Sequence, residues 1–135
     1  MNWIFEDGEA EYSSQKITFV DDFKKRTKKL SVDVVKLCKT LARDTVNYVL
    51  INQLVKSATS VGANYRAACR ARSGNEFFAK MCIVVEEADE TQFWLEVMME
   101  ANIINNLEVQ RLHKEITEIL AVVTKAKDSS FGYRK

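Results

Sequence analysis

Between Phe19 and Ser129 the chain contains no proline and only two glycines, Gly62 and Gly74. Proline removes a backbone donor, and a glycine weakens a helix by about 1 kcal/mol relative to alanine, so this stretch has little to interrupt a helix. A chain of 135 residues, 47% hydrophobic and 29% charged, has the size and composition of one soluble domain with its own core.

Helical periodicity divides the chain into parts. Residues 1–18 form an acidic segment without it, expected to be partly flexible, in which Trp3, Ile4 and Phe5 are apolar enough to dock elsewhere. A helical bundle is expected over residues 19–128, and a flexible polar tail over 129–135. The first helix should start at Asp21 or Asp22, each a suitable N-cap, and end near Ala42. Phe23, Leu30 and Leu37, with Thr27, Val34 and Leu41, recur at seven-residue spacing and mark its buried seam. The second should run from about Asp44 to Arg72, with Val46, Val49, Leu50, Leu54, Ala58, Val61, Tyr65 and Ala68 stepping by three and four. Gly62 and Ala63, among Ser57, Ala58 and Ala67, are the expected positions of close approach by another helix.

Ser73 and Glu76 have the spacing of a capping box and should open the third helix, which reaches about Asn102. Phe77, Met81, Val84, Val85, Ala88, Leu95, Met98 and Met99 supply its core face. Phe78, Ile83, Phe93, Trp94 and Val97 spill beyond that stripe, as in a helix that is central or covered by another subunit. Asn105 and Asn106 separate it from a fourth helix carrying Val109, Leu112, Ile116, Ile119, Leu120 and Val123 and fading near Asp128. Short connections make neighbours antiparallel, so the expected fold is all-α, an antiparallel up-down-up-down four-helix bundle.

The net charge of +1 conceals a sorting by helix: residues 23–42 carry seven bases and one acid, residues 73–104 one base and seven acids. Such sorting favours packing of unlike helices or contacts between copies. Cys38, Cys69 and Cys82 are odd in number, never spaced as C-x-x-C and set in apolar patterns, which reads as buried thiols of a reducing compartment. Acids crowd the N-terminus where a signal peptide needs bases, and no apolar run is long enough to span a bilayer, so a cytoplasmic protein without a membrane role is expected.

The run S-V-G-A-N-Y at residues 60–65, then Arg70-Ala71-Arg72-Ser73, Glu76-Phe77-Phe78-Ala79-Lys80, Glu86-Glu87-Ala88-Asp89-Glu90 and Phe93-Trp94-Leu95, resembles the bacterial four-helix-bundle proteins first noticed in intervening sequences of 23S ribosomal RNA genes. The likeness covers about Phe23 to Asp128. It departs at Gly62, where many members have proline, and at Arg66, Ala67 and Ala68, where they have Ala-Glu-Gly. The resemblance implies a homo-oligomer, usually a ring of five, with no catalytic residues to carry over. Relatives also include accessory proteins of diversity-generating retroelements, which bind reverse transcriptase and nucleic acid and are far more basic than this chain.

Several side-chain groups bear on function. Glu86, Glu87, Asp89 and Glu90 suggest a di-metal site, but such a site needs Glu-x-x-His motifs, and the lone His113 follows Gln110 at that spacing. No metal or cofactor is therefore expected, and with no nucleophile placed beside His113 and no glycine-rich loop, no enzyme. Arg66, Arg70 and Arg72 are expected to meet some of those four acids across a subunit boundary that also includes Trp94, the alternative being a solvated charged face. Lys24, Lys25, Arg26, Lys28 and Lys29 are candidates for salt-dependent, sequence-blind contact with RNA or DNA, against a solvated helical face. The expected function is a non-enzymatic homo-oligomeric scaffold, most simply pentameric, that engages nucleic acid or a reverse-transcriptase-like enzyme; the alternative is a protein-binding adaptor with no nucleic-acid role.

Overall fold

The computed structural model describes residues 3–131, with side chains from residue 13 onward. Four helices follow one another: α1 (Trp3–Cys38), α2 (Thr45–Cys69), α3 (Gly74–Glu100) and α4 (Leu107–Ser130). Among the described residues there is no strand. Each helix packs on the next, and α4 returns to α1. The interior is filled by Leu30, Val34, Leu54, Val61, Met81, Val84, Leu95, Met98, Leu112, Ile116 and Ile119, none more than 1% exposed.

α1 and α2 approach closely at Gly62. A Cβ added to Gly62 would lie 3.4 Å from the carbonyl carbon and oxygen of Thr27. One turn along, the Ser31 hydroxyl donates to the Ala58 carbonyl at 3.0 Å. Four residues forward on α1 thus correspond to four backward on α2. The same opposed register joins α3 to α4, through Gln92 with Thr117 and Glu96 with His113. Between α2 and α3 the hydroxyls of Ser57 and Thr91 meet at 3.0 Å in the core. The seam residue Thr27 is fully buried with its hydroxyl 3.1 Å from the Phe23 and Lys24 carbonyls, so its polar group is satisfied within its own helix.

The helix ends follow local chemistry. Asp44 caps α2 by accepting from the Asn47 amide, and Asn106 caps α4 by accepting from Val109. Ser73 accepts from the Glu76 amide as expected, but Glu76 reaches back 3.4 Å to the amide of Arg72 instead of that of Ser73. α3 ends at Glu100, and just beyond it Asn102 is the one non-glycine residue with positive φ (58°) among the described residues. The Ile103 amide bonds to Met98 O and the Asn102 amide to Met99 O, a Schellman ending that asparagine tolerates better than most residues.

Four expectations are corrected. α1 starts at Trp3, so Asp21 and Asp22 lie inside a helix instead of capping one. Where burial is described, helicity precedes the core: residues 13–19 are helical yet exposed, and the core of α1 begins at Phe23. How Trp3, Ile4 and Phe5 dock, and the tail beyond Phe131, lie outside the described side chains. At its other end α1 closes at Cys38, where tighter turns take over, with Thr40 bonding to Leu37 O.

Val46 and Val49 are exposed (61% and 52%), while Asn47 is buried. The inward face of α2 opens with that polar residue because its side chain donates to the Ala42 carbonyl and ties down the α1–α2 connection. Ala63 is exposed and takes no part in close packing, which rests on Gly62 alone, since residue 63 is turned about 100° from it.

Gly62→Ala should change stability little in chemical denaturation, its gain in helix propensity offset by the tight contact with Thr27. Gly62→Leu should lose about 2 kcal/mol or more, because its side chain would push into the α1 backbone.

Candidate interaction surfaces

The basic run of α1 winds around its helix and does not form one face. Arg26 turns toward α4, where it pairs with Glu115 and, at 2.8 Å, with Glu118. These bonds, that to Glu115 foremost, raise the guanidinium's pKa. Lys29 pairs with Asp33 one turn on, at 2.7 Å. Lys25 and Lys28 are exposed, and Lys24 is half-buried. Lys25, Lys29 and Lys36 line the outward side, whereas Lys24, Lys28 and Lys39 border α2. Of the five candidate bases, α4 therefore neutralises one, Arg26.

Asp33 is the centre of a second α1–α4 link. It accepts from Lys29 and from Arg111 at 2.8 Å, and Arg111 also holds Glu108 at 2.6 Å. Burial works to raise the Asp33 pKa, but the hydrogen bonds from Lys29 and Arg111 outweigh it and leave the carboxyl below its ordinary value. Glu108 is lowered too, mainly by its hydrogen bond from Arg111. The opposite shift, upward in Arg111, comes from the bonds to Glu108 and then Asp33.

The expected arginine–acid contact does not form within one chain. Arg66 and Arg70 are exposed at the far end of α2, with no ion pair among the described residues, and Arg72 lies 3.6 Å from Glu76. Glu86, Asp89 and Glu90 are exposed in the middle of α3, likewise without an ion pair among the described residues. Glu87 is half-buried and its pKa is raised, first by burial and then by Glu90 and Glu86, with Lys56 opposing. The acids thus repel one another, with Lys56 opposing that repulsion only in part. Beside them Phe93 is 54% exposed and meets half-buried Trp94 edge-on at 4.9 Å.

A further surface was missed in the sequence. Val35 and Cys38 of α1 and Lys39 just beyond it, with Tyr48, Ile51 and Val55 of α2, line a groove of about 840 Å³ rimmed by Arg43 and Asp44. Val32 and Val35 fall outside the seven-residue seam of α1, and that excess of valine was the available signal. Burial pushes the Cys38 thiol up to about 11, which leaves it protonated and unreactive at neutral pH. His113 meets Glu96 of α3 at 2.7 Å and has no nucleophile as partner. No group of histidine, cysteine or carboxylate side chains among the described residues could hold a metal ion. Nor is any described helix long and apolar enough to cross a membrane.

In class the chain is a four-helix all-α domain with charged and apolar groups on its surface. Residues 22–125 match the model of the 23S rRNA-intervening sequence protein family, and the chain belongs to that family. It is similar to the crystal structure of a protein of unknown function from the S23 ribosomal protein family of Bacteroides thetaiotaomicron, with 31% identity and a TM-score of 0.71 over 77% of this chain and 96% of that one. No curated protein matches the sequence.

Because the folded-state values of Asp33 and Glu108 are depressed, the stability they contribute is present above the ordinary carboxylate range near pH 4 and lost as pH falls through the lowered values. Acid titration of thermal stability should show this loss. Arg111→Met should flatten it and cost about 1 kcal/mol or less at neutral pH, since the network is largely exposed.

Proposed function

We propose that the protein is a non-enzymatic homo-oligomeric scaffold, an antiparallel up-down-up-down bundle assembled in the cytoplasm as a ring, five copies by family resemblance. The ring engages nucleic acid, or an enzyme acting on nucleic acid, through the basic outward side of α1. The observation that carries this reading is apolar surface outside a filled core: Tyr48 is 68% exposed and Phe93 54%. A core as complete as this one leaves such residues nothing further to pack on within the chain, and large exposed apolar patches mark interaction sites. The opposed registers of α1 with α2 and of α3 with α4 support the antiparallel order. Lys25 and Lys29, one turn apart, and Lys36, two turns further on, support contact with phosphates, and repetition around a ring would add their effects.

A second reading, a protein-binding adaptor with no nucleic-acid role, is favoured by the ion pairs of Arg26 and Lys29, which reduce the charge α1 presents.

Light scattering at low and high salt, with nucleic-acid absorbance followed on the same peak, should give a salt-resistant species of about five copies; a monomer under both conditions overturns the scaffold reading. RNA retention at low salt should fall roughly tenfold or more on Lys25→Glu with Lys29→Glu, as expected when phosphate contacts are lost. Equal retention by the variant would sink nucleic-acid contact through α1 and leave the adaptor.

A further inference from the structure

Two unpartnered surfaces of this chain complement each other. The first is the groove between α1 and α2, with Val35, Tyr48, Ile51 and Val55 for walls and Lys39, Arg43 and Asp44 on its rim, two bases to one acid. The α1 edge of the groove continues along the helix as Lys28 and Val32, both exposed. The second is the outward stripe of α3, where Ile83, Glu86, Glu90, Phe93 and Val97 recur at spacings of three and four. One surface is concave, apolar and basic at its margins; the other is convex, apolar and acidic.

Their order along the bundle also corresponds. Contact of Ser57 with Thr91 sets Phe93 and Val97 within about one turn of the level of Val55 and Ile51. Thr27 against Gly62 then sets Glu86 and Glu90 within about one turn of the level of Lys28. A second copy brought alongside, parallel and without axial shift, would therefore face apolar residues with apolar ones and acids with bases.

We propose that the α1/α2 groove of one copy receives the α3 stripe of the next, with Phe93 as the anchor in the groove and Glu86 and Glu90 facing Lys28. This deepens the assembly reading and rests on it. Groove and stripe occupy different faces, so the contact is head-to-tail: every copy offers one of each, and repetition with a constant rotation closes a ring. Braced against Trp94, the Phe93 ring has little freedom to lose on docking, which suits it to the role of an aromatic anchor. The acids of α3, mutually repelling in the isolated chain, gain the bases they lack.

The test uses full-length chains that each lack one half of the contact. Phe93→Glu keeps the groove, and Val35→Glu with Tyr48→Glu keeps the stripe; all three positions are exposed, and circular dichroism confirms that helix content is retained. Each variant alone should drop from the wild-type assembly to one-chain mass in light scattering. An equimolar mixture should recover a two-chain species, because one intact groove then meets one intact stripe. A mixture that stays monomeric, or a variant that assembles as wild type does, overturns the assignment of faces while leaving assembly itself standing; a monomeric wild type overturns both. As a measurement independent of variant folding, a benzoyl-phenylalanine placed at position 93 should cross-link between copies to residues 35–55. Cross-links to α3 of the second copy, or to a different protein bound there, would equally overturn the assignment.

Discussion

The arrangement depends on how near α2 can come to its neighbours. It lies between α1 and α3 and offers small residues to both. Gly62 and Ala58 let the α1 backbone approach to van der Waals distance, and Ser57 meets Thr91 of α3 where a larger side chain would hold the helices apart. Close approach also fixes register: the Ser31 bond to the Ala58 carbonyl and the Ser57–Thr91 pair each have one geometry, unlike a uniform seam of leucine, which could slide by a turn. With both registers set, the heights of all surface groups follow, including the level of Phe93 relative to the groove.

The fourth side of the bundle is held differently. α4 meets α1 through Arg26 with Glu115 and Glu118, and through Arg111 with Asp33. These long side chains bridge a wider separation than Gly62 permits between α1 and α2. Exposed ion pairs contribute little each, so this side is the weaker one, although Val34, Leu112, Ile116 and Ile119 still fill the space beneath. The charge sorting seen in the sequence thus has two outcomes. Bases of α1 are partly answered by α4 within the chain, while Glu86, Asp89 and Glu90 of α3 form no ion pair among the described residues.

Much of the fold was legible in the sequence because its signals are local. The Ser73 and Asn106 caps, the glycine of the close approach and the inward stripes of α3 and α4 stand where residue spacing placed them. What failed was inference from apolar periodicity at places where burial and helicity part company. Residues 13–19 of α1 are helical while exposed, and the α2 stripe begins with Asn47, whose hydrogen bond to Ala42 no hydropathy pattern reveals. The groove was illegible for a related reason: it joins residues of two helices, and Val35 gains a relation to Tyr48 only once Gly62 has drawn the helices together.

The basic run of α1 shows why a cluster in sequence is a weak guide to a cluster in space. Six consecutive helical residues sweep more than one full turn, so Lys24 to Lys29 point in nearly every direction around α1. One base is drawn to α4, others border α2, and the outward side is left with Lys25, Lys29 and the more distant Lys36. A polyanion lying along that side would therefore meet Lys25 and Lys29 about 6 Å apart along the axis and Lys36 about 10 Å further on, a sparse row of charges. The bases toward α2 stand instead at the margin of an apolar groove, where a wet, flexible polyanion would have to cover Val32 and Val35, and where a preformed helical face of opposite charge is the better match.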